Sequence, residues 1–533
     1  MKPLKLKKAI ESISLKHLQP VLIISILVVA GLLRFVDLDN NPQWYSDEGT
    51  LVNIAHNLRN GTWRYLALHG STLLSARMPL FPILLSLLFR FFEPEITTLR
   101  YFTALLGLLS VFLTYLCLSA MLGNRNRILP LISTAILAIF PNVIMYSRVG
   151  FSYNLLPPLV LIAILGCWKF LDNGEVRWLY IAGICVGVGI TSDLIMINFL
   201  LPLLLIGGYR KPKFALQVIG VALAPVAIYG IVMLLFSPEV FFFDIAFMLG
   251  RVGNIPFIGQ IPMLILNLGG LMLSGMWTAF GILGLHVVHP RRLLWILVIF
   301  FWIPFAGIAR IVATISLGYY YMIPLMPLLA IGIASLICFG VPRLSGVLAD
   351  GIMLATRRFA LHIGRNLDVS GRLVNLVSTT FVIVGLVLSP VLFSIVSPKV
   401  GLSPGSQSSM TDVSVSPADA RKVASHINSI AGDSEVVIGS PAFIWMVEAN
   451  GADFQQSLAS LGEETMHYPS SIPSERFVFD PDWRNAEYIV IDPVILNWGA
   501  RMMPAATEMV AEVQSWPIEI SCGEMTVFRN PNN

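Results

Sequence analysis

The chain predicts a mostly α, polytopic membrane protein with about eleven transmembrane helices, followed by a C-terminal extracytoplasmic α/β domain. Three observations carry that expectation. The 533 residues are 56% hydrophobic and only 12% charged, with a mean hydropathy of +0.76, an apolar excess no water-soluble globule requires. Apolar runs near the ~20 residues needed to cross the hydrocarbon core recur along the first three quarters of the chain. Beyond about Pro398 the composition turns polar and short apolar runs replace long ones. The net charge of +4 is unremarkable in total while its distribution is informative, and no nucleic-acid partner is expected. The five cysteines show no paired spacing, which argues against a disulfide framework or a cysteine metal site.

In chain order, residues 1–18 are a basic cytoplasmic segment and residues 19–397 the transmembrane domain. Its apolar runs fall near 19–38, 98–121, 127–146, 153–171, 177–191, 193–208, 214–236, 260–285, 291–308, 318–341 and 374–397. The stretch 78–92 has 15 residues and two prolines, so it reads as a partial, interfacial helix. With the N-terminus inside, the basic clusters at 123–127, 209–213, 289–292 and in the connection 342–373 all land on the cytoplasmic side, as lysine and arginine prefer. The loop 39–97 and the tail then lie outside, and the expected location is a bacterial plasma membrane.

Residues 398–415 form a Ser/Pro/Gly-rich linker. In the domain 416–533, Ser416-Pro417 opens a helix running to about Ile430, because serine caps and proline suits the first turn. Residues 435–439 and 487–492 read as buried strands, 504–515 as a helix, and 519–521 with 525–528 as a hairpin around Gly523.

The chemistry concentrates just after the first span, in Trp44-Tyr45-Ser46-Asp47-Glu48. Residues 46–60 have the period of an amphipathic helix, so Ser46 or Asp47 has an ordinary use as its cap. Yet Trp44 and Tyr45 are interfacial aromatics that hold the two carboxylates at headgroup level. Carboxylates at a membrane face are costly unless something uses them. The same outer face collects arginines, of which Arg77, Arg148 and Arg310 border apolar segments. A lipid phosphate suits them, since guanidinium matches phosphate bidentately. Asp193, between two short apolar runs, reads as a helix cap. His56 and His69 lie on the outer face.

On these stretches the chain resembles the GT-C superfamily of membrane glycosyltransferases. It is similar to the branch holding dolichyl-phosphate-mannose protein mannosyltransferases and aminoarabinose (ArnT-like) transferases. The matching stretches are Trp44–Glu48, Ser75-Ala76-Arg77-Met78-Pro79-Leu80, Leu99-Arg100-Tyr101, Phe140-Pro141-Asn142 through Ser147-Arg148, and Gly318-Tyr319-Tyr320-Tyr321 through Pro327. Two departures stand out. Met78 replaces the first of two usual prolines, and no acidic residue follows Ser147-Arg148 within a few positions.

The resemblance implies transfer of a sugar from a polyprenyl-phosphate donor to a protein, lipid or glycan acceptor, with inversion, on the extracytoplasmic face. It implies Asp47 as the base, with Glu48 as a supporting acid. Arg77 and Tyr321 would hold the donor phosphate, with Arg148 and Arg310 as weaker candidates; His56 and His69, by their face alone, read first as solvated loop residues and second as lining of the acceptor path. A divalent cation stays open: oligosaccharyltransferases of the superfamily use one, while the branch resembled here does not in general require it, and Asp47 and Glu48 would be its ligands. Two rival readings keep the fold without the chemistry: a non-catalytic assembly subunit, and a transporter of lipid-linked saccharides.

Overall fold

The computed structural model describes residues 3–70, 78–123, 126–251, 276–315, 319–362, 371, 373–382, 384, 413–470 and 472–533. Helix α1, Pro3–Phe35, carries the first apolar run and ends at Arg34, whose guanidinium donates to the carbonyls of Ala138 and Leu137 at 3.0 and 3.2 Å. Among the described residues, six helices are long and apolar enough to span a membrane, or seven if the bent pair Ile128–Ile139 and Pro141–Ser147 is one span. The expected eleven are not reached among the described residues. The bend of 59° falls at Pro141, which cannot donate into the preceding turn. Val176–Ser192 and Leu194–Arg210 are apolar but short. Much of the run at 260–285 lies outside the described residues, and so does most of 374–397. The run at 318–341 continues through a π-type turn, Leu336–Gly340, into the helix Val341–His362, so the connection expected at 342–373 begins as helix.

The partial helix expected at 78–92 is Leu80–Leu88, nine residues, which is too short to cross. The spans pack through small residues. A Cβ on Gly284 would lie 1.8 Å from the carbonyl oxygen of Gly332, and one on Gly332 would lie 1.9 Å from that of Gly281. The helices Met276–Leu285 and Met326–Ser335 therefore meet backbone to backbone, as small-residue seams permit.

Ser416 caps the helix Pro417–Ile430 through its side chain, as its sequence implies. Strands β5 (Val436–Gly439), β6 (Asn450–Asp453), β7 (Tyr488–Ile491), β8 (Ile518–Cys522) and β9 (Met525–Arg529) form one sheet in the order β6-β5-β7-β9-β8. β6, β5 and β7 run parallel, while β9 and β8 are antiparallel. The helix at 504–515 is Pro504–Val513, and Gly523 turns the closing hairpin at φ 58°, a backbone angle that favours glycine. β6 has no counterpart in the sequence reading. Its residues, Asn-Gly-Ala-Asp, are poor strand formers, and it forms because it is buried beside β5.

The C-terminal sheet is fastened to the loop after α1. β1 (Trp44–Tyr45) pairs antiparallel with β4 (Ser414–Val415). The short ribbon β2 (Arg64–Tyr65) and β3 (Leu68–His69) is clamped by Gln456, whose amide donates to the Tyr65 carbonyl at 3.1 Å and accepts from the Ala67 N–H at 3.2 Å. One apolar core runs through both parts, with Trp44, Leu51 and Phe81 packed in the same cluster as Val437, Phe443 and Val490.

Candidate active site

Helix α2, Ser46–Arg59, starts directly after β1 and puts Asp47 and Glu48 in its first turn. The two neighbours have different surroundings. Glu48 is fully buried and pairs with Arg100, which is also fully buried, through Nε to Oε1 at 2.8 Å and Nη2 to Oε2 at 2.7 Å. The Gly150 N–H donates to Oε1 at 2.7 Å and the Tyr45 N–H to Oε2 at 2.8 Å. The cap of α2 is thus returned by Glu48 to Tyr45, correcting the expectation that Ser46 or Asp47 fills that role. Arg100 spends its remaining donors on the carbonyls of Leu38, Pro42 and Gln43 at 2.7–3.0 Å. Every strong hydrogen-bonding position of the pair is occupied, so Glu48 fixes the loop from which α2 emerges.

Asp47 is half-buried and lines a narrow cleft between α2 and the C-terminal sheet, with room for about one water molecule. Thr50, Tyr65, Asp453, Gln455, His467 and Trp498 share the lining with it. On another side stands a nest of aromatic rings. Tyr320 and Tyr321 have centroids 4.6 Å apart, Tyr153 lies 5.1 Å from Tyr321, and Phe151 stacks on Tyr320 at 5.0 Å. Asp47 is near enough to Tyr320 and Tyr321 to act on them electrostatically, and Asp193 acts on Tyr321 as well. Asp193 caps the turn that follows it, accepting from the Ile195 N–H at 3.0 Å, as the sequence implies.

The structure therefore brings Asp47 and Tyr321 into one neighbourhood. It separates others. Arg148 gives its guanidinium to main-chain carbonyls at the end of α1, those of Leu33, Val36, Asp37 and Asn41, at 2.6–3.1 Å. These bonds tie off the unsatisfied C-terminus of α1, so most of the Arg148 donors are spent on the main chain. Arg77 lies outside the described residues, as does the side chain of Arg310, whose backbone belongs to the helix Arg291–Ile315. His56 sits half-buried in α2 with its imidazole pKa lowered by burial and by Arg59. His69 is exposed on β3. Neither lines the cleft, whereas His467 does. Sequence spacing offered no signal for His467, because it approaches Asp47 only through the fold. Among the described residues no three His, Cys, Asp or Glu side chains form a metal-binding group.

The far wall of the cleft is built from the C-terminal ends of the parallel strands, where open α/β sheets bind ligands. Asp453 ends β6 and accepts from the Gln455 N–H at 3.1 Å. Burial raises its carboxyl to about 7, with the nearby Asp492 adding to the rise. Asp492 follows β7 and accepts from the Ser440 hydroxyl and from the Ile495 N–H, and burial raises it to about 6.

With spans, bent helix and docked sheet in place, the molecule has an ArnT-like GT-C fold. Residues 76–242, less than half of the chain, match the dolichyl-phosphate-mannose-protein mannosyltransferase family. Among solved structures, the chain is similar to ArnT from Cupriavidus metallidurans bound to undecaprenyl phosphate. The two are 16% identical over 95% of this chain and 98% of that one, with a TM-score of 0.59. The apo state of the same ArnT matches at 16% identity, 95% and 97% coverage and a TM-score of 0.57. The oligosaccharyltransferase AglB from Archaeoglobus fulgidus, in complex with an inhibitory peptide and a dolichol-phosphate, matches at 12% identity, 92% and 72% coverage and a TM-score of 0.48. A comparison with curated protein sequences finds no match.

Proposed function

We propose that the protein is a membrane glycosyltransferase that moves a sugar from a polyprenyl-phosphate carrier to an acceptor on the extracytoplasmic face. The observation that carries this reading is the place of Asp47, in the first turn of α2, lining a cleft at the junction of helices and sheet and near enough to Tyr320 and Tyr321 to act on them electrostatically. A carboxylate in that position is suited to take the proton of an acceptor hydroxyl as its oxygen attacks the anomeric carbon, with inversion. The lipid phosphate leaves with the bonding electrons, and cations or hydroxyls offset its charge as it develops. Tyr321 is the hydroxyl assigned to the donor phosphate in the proposal, and Arg77, next to Met78-Pro79, is the cation assigned to it. The undecaprenyl phosphate bound to ArnT supports a carrier of that class, on fold alone.

The test is turnover of a panel of undecaprenyl-phosphate sugars by the purified protein and by Asp47→Asn. A positioned base contributes roughly 10²–10⁴-fold, so the variant is expected to lose that much in kcat while still binding donor. Unchanged turnover would remove Asp47 from the chemistry. The N-terminus-inside orientation belongs to the same proposal, and labelling of a cysteine placed at exposed His69 by a membrane-impermeant reagent checks it in intact cells.

A further inference from the structure

The hydroxyls of Tyr153, Tyr320 and Tyr321 meet beside the candidate site, and the way they meet leaves a proton over. Tyr153 stands on the short turn Ser152–Leu155, and Tyr320 and Tyr321 on the turn Tyr319–Leu325. The Tyr153 and Tyr320 hydroxyls both bond that of Tyr321, whose oxygen accepts from each. A phenol carries a single proton and can accept twice. With both acceptor positions filled from within the cluster, the Tyr321 proton is turned to an outside acceptor. Hydrogen bonds in a chain polarise one another, so the two that Tyr321 accepts make it a stronger donor.

The cluster is held in a fixed frame. The side-chain amide of Asn154 donates to the carbonyls of Tyr146, Val149 and Phe151 at 2.9, 3.2 and 3.2 Å, and the Gly150 N–H is bound to Glu48. The turn that carries Tyr153 is thereby tied to the scaffold. Phe151 stacks on Tyr320 at 19°, and Tyr153 lies 5.7 Å from Tyr320 and 5.1 Å from Tyr321, centroid to centroid. Packing explains the rings but not the convergence of their oxygens, since phenylalanine would fill the same space without desolvating a hydroxyl. All of these tyrosines keep some exposed surface. Asp47 and Asp193 both act on Tyr321 electrostatically. An anion that binds here against those carboxylates needs a directed O–H donor, and the Tyr321 proton is one.

We propose that Tyr153 and Tyr320 are positioning residues for the donor: they hold Tyr321 with its proton aimed at a phosphate oxygen of the polyprenyl carrier. The role rests on the glycosyltransferase reading. As the bond from the anomeric carbon to the carrier phosphate breaks, the phosphate keeps the electron pair. The hydrogen bond from Tyr321 strengthens on the oxygen that gains charge, and the proton stays on the phenol.

The experiment measures binding of undecaprenyl phosphate to the full chain in lipid nanodiscs by native mass spectrometry. Undecaprenol, the same chain without the phosphate, is the second ligand. Tyr153→Phe is expected to weaken undecaprenyl phosphate about threefold to tenfold, and Tyr321→Phe about tenfold, with undecaprenol unchanged in both. In a Tyr321→Phe background, Tyr153→Phe is expected to add nothing, because it acts through Tyr321. Thermal unfolding verifies that each variant folds, and Tyr320→Phe takes the place of Tyr153→Phe if the latter does not. Undiminished binding of undecaprenyl phosphate by the folded variants overturns the proposal. So does a loss that persists in the Tyr321→Phe background, or one shared by undecaprenol, which marks plain packing. Turnover of undecaprenyl-phosphate sugars by the wild type, with carrier binding unaffected in Tyr153→Phe, would fail the positioning role alone. A wild type that neither binds the carrier nor turns over its sugars would fail the glycosyltransferase reading and the positioning role with it.

Discussion

At the scale of single residues, adjacent acids of similar chemistry are sorted by their surroundings. Glu48 and Arg100 are a fully buried pair, and removing one partner of such a pair leaves the other charge uncompensated, at a cost of roughly 3–5 kcal/mol. Glu48→Gln is therefore expected to lower the unfolding temperature of the detergent-solubilised protein markedly. The double variant with Arg100→Leu should regain part of that loss, because the stranded cation is gone. An unfolding temperature equal to wild type, with activity alone lost, would show that Glu48 acts in the chemistry rather than in the scaffold. The position of the acidic pair after the first span was legible from Trp44-Tyr45-Ser46-Asp47-Glu48. Which carboxylate would be spent on structure was not, because the decision lies with Arg100 and Gly150, tens of residues away. The main-chain use of Arg148 was hidden for a related reason. An arginine bordering an apolar segment needs partners, and the carbonyls at the end of α1 satisfy it as completely as a phosphate would.

At the scale of elements, the caps and the closing hairpin were readable because their signals are local. Ser416-Pro417 and Gly523 each fix a backbone angle or a first-turn bond by themselves. The strand β6 was not readable, because its Asn-Gly-Ala-Asp is held by pairing with β5 and by burial, and neither is written in those four residues. The same burial gives this element a pH dependence. The Asp453 carboxyl is raised from 3.8 to about 7, so the folded state holds a proton that the unfolded state releases above pH 4. Stability from this group is then largest in acid and declines as the pH rises towards 7, levelling off above it. Asp492 adds a parallel decline up to about 6. Unfolding temperatures measured from pH 5 to pH 8 should fall for the wild type and fall less for Asp453→Asn, whose amide oxygen still accepts from Gln455 N–H. A wild-type profile that is flat or rises between pH 5 and 7 would contradict this.

At the scale of the whole molecule, the candidate site exists only because the sheet is seated on the loop after α1. Two kinds of contact hold that seat, and their magnitudes decide which governs. Arg421 pairs with Asp39 at 2.7 Å and lies over the Trp44 ring at 4.9 Å, but both charged side chains are a third or more exposed. Such pairs contribute about 0–1 kcal/mol, so Arg421→Ala should leave the junction closed. The shape contact is less forgiving. A Cβ on Gly49 would stand 1.8 Å from the carbonyl oxygen of Pro441 and 2.6 Å from the ring of Trp445. Since Gly49 lies one turn into α2, beside Glu48 and two residues from Asp47, adding a methyl group there forces the sheet and α2 apart. Overpacking of this kind costs roughly 1–3 kcal/mol, and here it falls on the junction rather than on either part alone. Hydrogen exchange followed by mass spectrometry should then show Gly49→Ala losing protection in β1, β4 and the Gln456 clamp, with the spans unchanged, and donor turnover should fall with it. Protection at those segments equal to wild type would mean that the seat tolerates the extra atom, and that the junction is held by the shared apolar core rather than by close approach of the two backbones.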